Sequence, residues 1–427
     1  MKIFYGHYLN DPAHPAAQMV QQIAANLRIL GHEVLVHGSE LDGQAGFQQG
    51  AGSAEDANKT TNAPLKTRIK NKLWFAKAML RNRRWRNKDH EVLRSFDPDI
   101  VLSRQDAYCW SQAQAASELG LPIVTYADAP VAYETRMFND ANRWHPKGLV
   151  EKLELWGLEK SEAIITVSNP ARAILEQYPM ATPVSVAHNG VDLDKFKSLD
   201  GSELSRLRRE LQLQNKIVIG FQGTFKMFHG IDRLLELMKW SRRYENVCWL
   251  LVGDGPERSR VERSVKGDVP VVFAGRQPSS EMSKYLSLMD IAVAPHSQMD
   301  GKFYFCPLKI LEYAAAGCAT LASRQGDIPI LLAEGKGGYI VGDDRLNAWT
   351  RGLAKLIEDE VFRKQSAKAA QKYAYENLSW QNTAKTVEAV LAKVLGLEAK
   401  QAATPQLGMN VFAKCAKPMS LELTHSR

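Results

Sequence analysis

Long apolar segments and paired cysteines are both missing from this chain. No window of about 18 apolar residues occurs, so we expect no membrane-spanning helix. The five cysteines are scattered and form no Cys-x-x-Cys pair, which argues against zinc and is typical of a reducing compartment. The first residues read as a strand and not as a signal peptide. These absences favour a cytoplasmic location and a chain without a structural metal.

Size and charge set the next limits. A chain of 427 residues exceeds what one hydrophobic core usually supports, so two domains are expected. Hydrophobic residues make up 45% and charged residues 24%, as in ordinary globular proteins. The formal net charge of +8 at pH 7 favours an anionic partner, such as a phosphorylated small molecule, an acidic lipid or a nucleic acid.

Acidic side chains are absent from residues 66–88, where every charged residue is basic. Apolar residues recur there at helical spacing, which predicts a basic helix over about residues 66–90, after a flexible loop over about 40–64. Such a helix can lie on an anionic membrane surface. Alternatively, its apolar side can pack on the core of the protein while its basic side faces water, and both interpretations remain open. No RNA-binding signature accompanies it, so we expect no nucleic-acid partner.

Strand and helix patterns alternate along most of the chain. Buried strands separated by helices predict the α/β class, with two doubly wound parallel-sheet domains whose faces are both covered. Ligands of such sheets bind beyond the carboxyl ends of the strands. We place an N-terminal domain at 1–195, a C-terminal domain at 196–378, a helix crossing back over 379–396 and a loosely ordered tail at 397–427.

One stretch, residues 301–317, has the pattern of a ligand-binding helix. Pro307 suits the first helical position and Gly317 the C-terminal cap, and a buried strand pattern follows directly. The unpaired N–H groups of such a helix start could hold a diphosphate with the help of Lys309. Glu312, one turn on, could accept hydrogen bonds from sugar hydroxyls. The other interpretation is a buried helix that has one lysine and one glutamate on its solvent-exposed edge and binds no ligand.

The order Pro-Leu-Lys-x-x-Glu-Tyr-x-Ala-x-Gly in this stretch resembles the donor-binding segment of retaining glycosyltransferases of family 4, which have the two-domain GT-B fold. The resemblance implies a nucleotide-sugar donor, with Glu312 on the ribose and Pro307, Leu308 and Lys309 at the diphosphate. Many members carry a second glutamate that holds the sugar, and its place is taken by Tyr304 here.

The loop after the first strand of the C-terminal half resembles another part of that donor site. Gly223 opens the loop, where a glycine lets backbone N–H groups approach a phosphate. The arginine and lysine that the family usually carries there are replaced by Thr224 and His229. The resemblance then implies that Lys226, together with Lys309, neutralises the leaving diphosphate.

Two further loops resemble parts of the family's cleft. Gly253 lies in the turn after a strand, and Gly275 and Arg276 end the next strand, which in the family borders the nucleotide base. In the N-terminal half, Ala127 stands where many relatives have a histidine near the reacting sugar, and Asp128 follows it. Asp128 could take the proton of the acceptor hydroxyl or merely cap a turn.

The resemblance as a whole implies a retaining glycosyltransferase that uses no metal and no cofactor beyond its nucleotide-sugar donor. Its candidate catalytic residues are Asp128, Lys226, Lys309 and Glu312. The basic helix suggests a lipid-linked or glycan acceptor at the inner face of a membrane, as in bacterial surface polysaccharide or glycoconjugate assembly. The replaced family residues also fit a non-catalytic nucleotide-sugar-binding subunit, and two facing α/β domains also fit a nucleotide-sugar epimerase.

Overall fold

The structure is a computed structural model that describes residues 1–9, 14–38, 65–106, 108–137, 148–297 and 303–397, with the backbone alone described over 65–78. The described residues form two six-stranded sheets, and each recorded pairing of neighbouring strands within them is parallel. The predicted α/β class with two doubly wound domains is confirmed. The predicted flexible loop, and the predicted tail apart from residue 397, lie outside the described residues.

The first sheet has the strand order β2-β1-β3-β4-β5-β6. Its strands are β1 Lys2–His7, β2 Glu33–Gly38, β3 Ile100–Arg104, β4 Ile123–Ala127, β5 Ala163–Thr166 and β6 Val184–Val186. The helices of this half are α1 Pro15–Ile29, α2 Leu65–Phe96, α3 Ser111–Glu118, α4 Val131–Met137, α5 Leu149–Glu159 and α6 Asn169–Leu175. Strands β3 and β4 are buried at every position, as expected for central parallel strands covered on both faces.

The second sheet has the strand order β12-β11-β10-β7-β8-β9. Its strands are β7 Ile217–Gln222, β8 Val247–Val252, β9 Val271–Gly275, β10 Ile291–Ala294, β11 Ala319–Ser323 and β12 Gly338–Val341. The helices that follow α6 are α7 Asp194–Lys197, α8 Gly201–Glu210, α9 Ile231–Ser241, α10 Arg258–Val265, α11 Met282–Leu286, α12 Leu308–Ala316, α13 Ile328–Leu331, α14 Leu346–Glu358, α15 Glu360–Asn377 and α16 Trp380–Val394. Strand β7 lies between β10 and β8, so the strand order changes direction there. The loops that leave β7 and β10 therefore meet at one crevice, where ligands of such sheets bind.

The last helix, α16, packs against the first helix of the chain. Val387 and Leu391 lie in one buried cluster with Val20 and Ile23 of α1. The start of α16 is tied to the segment between the sheets, because Thr383 donates its hydroxyl hydrogen to the carbonyl oxygen of His188 at 2.8 Å. The two sheets are thus joined by the end of the chain as well as by the segment between them.

Helix α2 extends beyond the end predicted for the basic helix. Its last turns carry Leu93, which is 1% exposed, and Phe96, and both pack with Phe4 and Val101 against the first sheet. The sequence analysis predicted the end of the helix near the end of the run of basic residues. The helix is longer because apolar residues that pack against the sheet follow that run.

Candidate functional site

Three glycines align at the carboxyl ends of β7, β8 and β9. Gly223 donates its N–H to the carbonyl of Val252 at 3.0 Å, and Gly253 donates to the carbonyl of Gly275 at 2.7 Å. A Cβ atom on Gly253 would lie 2.0 Å from the carbonyl oxygen of Gly223, and Gly253 has a φ of +125°. Both the contact and the φ require glycine at this position. The three predicted glycines therefore lie side by side along one edge of the second sheet.

Lys309 and His229 meet at Gly223. The Nζ atom of Lys309 and the Nδ1 atom of His229 lie 3.2 and 3.1 Å from the position that a Cβ atom would take on Gly223. Both nitrogen atoms are buried and have no hydrogen-bond partner among the described residues. Burial lowers the pKa of Lys309 to about 7, and the charge of Glu312 opposes this shift. Burial, with the charges of Lys309 and Lys226, lowers the pKa of His229 to about 2.

Lys226 and Thr224 lie in the same loop, on its outer side. Lys226 is half-buried, with its Nζ atom 6.0 Å from the centre of the Phe228 ring, and its charge acts on His229. Thr224 is exposed. Lys226 is therefore close to the Gly223 crevice, while Thr224 faces the solvent.

Helix α12 begins one residue later than predicted. Pro307 has extended backbone angles and is the N-cap, so Leu308 and not Pro307 is the first helical residue. Ile310 donates its N–H to the carbonyl of Pro307 at 2.9 Å, which leaves the N–H groups of Leu308 and Lys309 without a partner inside the helix. The positive end of the helix dipole and two backbone donors thus lie next to the Lys309 side chain.

Glu312 is half-buried and lies one turn along α12. Its Oε2 atom accepts a hydrogen bond from the Nε2 atom of Gln222 at 2.9 Å, and the backbone N–H of Gln222 donates to the hydroxyl of Tyr313 at 2.7 Å. Burial raises the pKa of Glu312, although the Gln222 bond and the charges of Lys195 and Lys309 oppose this shift. The carboxylate is thus held by Gln222 next to the carboxyl end of β7.

The end of β9 has two arginines near it. Arg276 is exposed, whereas Arg258 of α10 places its Nη1 atom 3.5 Å from the position of a Cβ atom on Gly275. Arg258 is held by Glu262, whose Oε1 accepts from Nε at 2.9 Å. The arginine whose side chain lies near Gly275 in space is therefore Arg258. The sequence analysis did not single it out, because it belongs to another element, α10.

Asp128 takes part in a buried ion pair at the carboxyl ends of β3 and β4. Arg104 is 2% exposed, and it donates to Asp106 at 3.1 Å and to Asp128 at 2.9 Å. The partner of Asp128 was not among the sequence alternatives of an acceptor base and a turn cap. The side chain of Asp128 remains 21% exposed.

Tyr304 is fully buried between the two halves of the chain. Its ring meets Tyr133 edge to face with centres 5.8 Å apart, and its carbonyl oxygen accepts from the hydroxyl of Ser168 at 2.6 Å. Burial raises the pKa of Glu134 to about 7, while the Tyr304 hydroxyl favours the charged form of that carboxylate and the Asp128 charge disfavours it. In this arrangement no part of Tyr304 is open to a ligand.

The basic helix has two kinds of basic residue. Arg81 stacks on Trp85 at 4.5 Å, and Arg86 pairs with Glu118 at 3.4 Å. Other side chains, Arg83, Arg84 and Lys88, are exposed, as is the apolar Leu80 at 69%. The helix therefore packs some of its basic side chains against neighbouring residues and exposes others to solvent.

No group of three or more metal-ligating side chains is present in the part of the chain that the structure describes. No helix within the described ranges is long and apolar enough to cross a membrane.

Comparison with known proteins follows the same division into two halves. Anabaena Alr3699/HepE, solved in complex with UDP, superposes with a TM-score of 0.68 at 16% identity, over 92% of this chain and 100% of that one. A sequence model described as Glycosyltransferase Family 4 matches residues 16–195, and one described as Glycosyl transferases group 1 matches residues 216–359. The two halves of the chain thus match glycosyltransferase models, and the fold is the GT-B fold. In this GT-B protein, the family 4 match includes the first sheet except β1, and the group 1 match includes the whole second sheet.

Two curated relatives resemble this glycosyltransferase over part of their length. The 2-deoxystreptamine glucosyltransferase of Streptomyces kanamyceticus is 26% identical over 64% of this chain and 74% of its own length. The lipopolysaccharide 1,2-N-acetylglucosaminetransferase of Salmonella typhimurium is 28% identical over 51% of this chain. The second alignment covers 59% of that relative, less than two thirds of it.

Proposed function

We propose that the chain transfers a sugar from a nucleotide diphosphate sugar to a hydroxyl group of an acceptor, with retention of configuration. The observation that carries the proposal is the convergence of Lys309 and His229 on Gly223, at the start of helix α12. Buried basic groups without partners, next to free backbone N–H groups, are suited to a diphosphate. The crevice between β7 and β10 is also where α/β sheets of this kind bind ligands.

Each residue of the second sheet's crevice has a proposed role. Glu312, whose Oε2 atom is bonded to Gln222, accepts hydrogen bonds from the ribose. Lys226 and Lys309 neutralise charge on the departing diphosphate, with the α12 dipole as a fixed contribution. The Gly253 and Gly275 turns leave room for the nucleoside, and Arg258 borders it along with Arg276.

The acceptor hydroxyl would enter from the first sheet, where Asp128 lies. In retention by front-face attack, the hydroxyl approaches on the side that the phosphate leaves, so the phosphate oxygen can take its proton. Asp128, paired with Arg104 and 21% exposed, orients the hydroxyl by accepting a hydrogen bond. Exclusion of water between the two domains would strengthen all of these contacts.

Turnover with Glu312→Ala tests the donor site. A panel of nucleotide sugars is screened for nucleotide release, and the best donor is compared between wild type and variant. Loss of hydrogen bonds to a charged group costs about 1.5–3 kcal/mol, so kcat/KM should fall roughly 10- to 100-fold. Glu210→Ala, an exposed glutamate of α8, is the matched control. Equal turnover by wild type and Glu312→Ala would refute the assigned role.

A non-catalytic subunit is the second function that a specific observation favours. Tyr304, which holds the place of the family's sugar-binding glutamate, is fully buried, and Ala127 replaces a histidine. Such a subunit would bind nucleotide sugars without turnover by any donor or acceptor. Nucleotide release only when an acceptor is present would exclude it, and would also exclude the epimerase alternative.

For the acceptor, we propose a lipid-linked or glycan molecule reached at an anionic membrane surface. The exposed Arg83, Arg84 and Lys88, with the exposed Leu80, lie on a helix where each basic residue near such a surface contributes about 1 kcal/mol. The Salmonella relative, by its name, acts on lipopolysaccharide. Cosedimentation with vesicles containing anionic lipid should decrease at least tenfold in a variant with Arg83, Arg84 and Lys88 changed to Gln. Unchanged binding would remove the membrane proposal and leave the donor site standing.

A further inference from the structure

A third basic side chain faces the Gly223 crevice, and it was not among the predicted site residues. His296 lies two residues after the end of β10 and is 5% exposed. Its ring centre lies 6.2 Å from that of His229 and 5.2 Å from that of Phe303. Its Nδ1 atom is buried without a hydrogen-bond partner among the described residues, as are the Nδ1 atom of His229 and the Nζ atom of Lys309.

The three side chains come from three separate elements. His229 lies in the loop after β7, His296 in the loop after β10 and Lys309 in the first turn of α12. Because β7 and β10 are neighbours at the point where strand order changes, these loops meet although they are distant in sequence. The cluster is thus a product of the sheet topology, at the position where the fold places ligands.

Leaving such groups unpaired is costly. A buried polar group without a partner destabilises a protein by about 1–3 kcal/mol, and here several gather at one point. Lys309 gains some compensation from the face of Phe221, whose ring centre is 4.9 Å from Nζ, but this contact does not satisfy the ammonium hydrogens. All three groups are basic, so a ligand that satisfies them together would be an anion rich in acceptor oxygens.

The charges around the cluster favour the neutral forms when no anion is bound. Burial lowers the pKa of His296 well below its ordinary value, and the charges of Lys309 and His229 lower it further. Lys226 faces His229 from the same loop, and Glu312 is the carboxylate whose charge acts on Lys309. A bound diphosphate would shift each of these side chains from the neutral to the protonated form, because an adjacent negative charge favours the protonated form of a base.

Building on the proposed donor site, we propose that His229, His296 and Lys309 bind the diphosphate of the donor together, and that the cluster takes up a proton as the diphosphate binds. The proton comes from solvent, stays on the cluster while the diphosphate is bound and returns to solvent when the nucleotide leaves. Binding should therefore tighten as the pH falls. In this scheme His296 is a diphosphate-binding residue, and Lys309, with its pKa near 7, is the main site of uptake.

Titration calorimetry of the full chain tests the proposal with UDP, GDP and ADP as probes. The tightest binder is titrated at pH 8.0 in Tris and in HEPES, whose different ionisation enthalpies reveal proton exchange. The second phosphate ionisation, near pKa 6, is complete at this pH, so uptake comes from the protein. We expect uptake of about 0.5–1 proton, and affinity about fivefold weaker at pH 8 than at pH 7.

Ligand and residue controls isolate the diphosphate cluster. The matching nucleoside monophosphate, which lacks the outer phosphate, should bind with little proton uptake. His296→Gln should weaken diphosphate binding at least tenfold and leave monophosphate binding nearly unchanged. His229→Gln serves as a second variant in case His296→Gln does not fold. His90→Gln, which alters a histidine paired with Glu118 outside the crevice, should behave as wild type.

Two results would overturn the proposal in distinguishable ways. Diphosphate binding with no proton exchange, unaffected by His296→Gln, would refute the cluster and leave the transferase function intact. Failure of all three diphosphates to bind the folded wild-type chain at millimolar concentration would refute the cluster and the proposed function together.

Discussion

Asp327 is a buried carboxylate that ties the two halves of this glycosyltransferase together, and its removal should be costly. It is 3% exposed and lies in the loop between β11 and α13. Its Oδ2 atom accepts from the backbone N–H of Asn169 at 2.7 Å and bonds to the Nε2 atom of His188 at 2.8 Å. Asn169 begins α6 of the first domain, and His188 lies in the segment between the sheets.

The magnitude follows from these contacts. Breaking a buried charged pair by deleting one partner costs about 3–5 kcal/mol, because the remaining groups lose their acceptor. We therefore expect Asp327→Ala to lower the free energy of unfolding by that amount in urea denaturation followed by tryptophan fluorescence. In a double-mutant cycle, Asp327→Ala and His188→Gln should show a coupling of about 1–3 kcal/mol. Asp268→Ala, at an exposed turn, is the control and should change stability by less than about 0.5 kcal/mol.

The pH dependence of this tie has a definite sign. Burial alone would raise the pKa of Asp327, but the hydrogen bonds from His188 and Asn169 outweigh it, and the pKa is lowered. The stability that Asp327 contributes is therefore complete above the unfolded-state pKa of about 3.9, and it is lost as the pH falls through the lower folded-state value. The difference between wild type and Asp327→Asn should shrink below about pH 4. A difference that grew on acidification, or an Asp327→Ala variant as stable as the control, would refute the argument.

Three further changes have definite expected outcomes. Burial raises the pKa of Glu134 to about 7, so the folded protein loses stability as the pH rises from about 4.5 to 7. In thermal unfolding over that range, the stability of Glu134→Gln should rise relative to that of wild type by roughly 1–3 kcal/mol. Gly253→Ala places a Cβ atom 2.0 Å from the carbonyl oxygen of Gly223 and should abolish nucleotide binding in calorimetry. The control Gly157→Ala adds a Cβ atom with no other atom within 4 Å, so it should leave the stability of the protein unchanged or raise it. Glu154→Ala removes the acceptor for two backbone N–H groups at the start of α4 and should lower the unfolding free energy in urea by about 2–4 kcal/mol, and unchanged stability would contradict that role.

Local sequence pattern was sufficient to predict the fold class of the two sheets. Alternating strand and helix patterns predicted the α/β class, and a glycine at the carboxyl end of each of β7, β8 and β9 lies along the edge where Lys309 and His229 meet. The start of α12 was misplaced by one residue, since proline fits both the cap and the first turn. The assigned roles of the site residues and the domain limits stay predictions.

What the sequence could not supply was contact between distant segments. Arg104 reads as one more basic residue at a strand end, yet it is the buried partner of Asp128, 24 positions away. His296 follows a strand just as Asp128 does, and a search for titratable residues at strand ends would have found it. Its meeting with His229 depends on β10 lying beside β7, which spacing along the chain does not encode.

The replaced family residues can be understood together from these contacts. Where relatives carry a glutamate that holds the sugar, this chain has Tyr304 buried against Tyr133, and the carboxylate in that region, Glu134, comes from the other domain. At the two positions where the resemblance predicts an arginine and a lysine for the diphosphate, it has Thr224 and His229, with His296 beside His229. Under the proposed function, the diphosphate therefore meets groups whose ionisation depends on burial, His229 and Lys309. In the empty crevice the bases are neutral, so there is no repulsion among clustered cations. When a diphosphate binds, its negative charge favours protonation of these bases, and the resulting positive charge stabilises the leaving group.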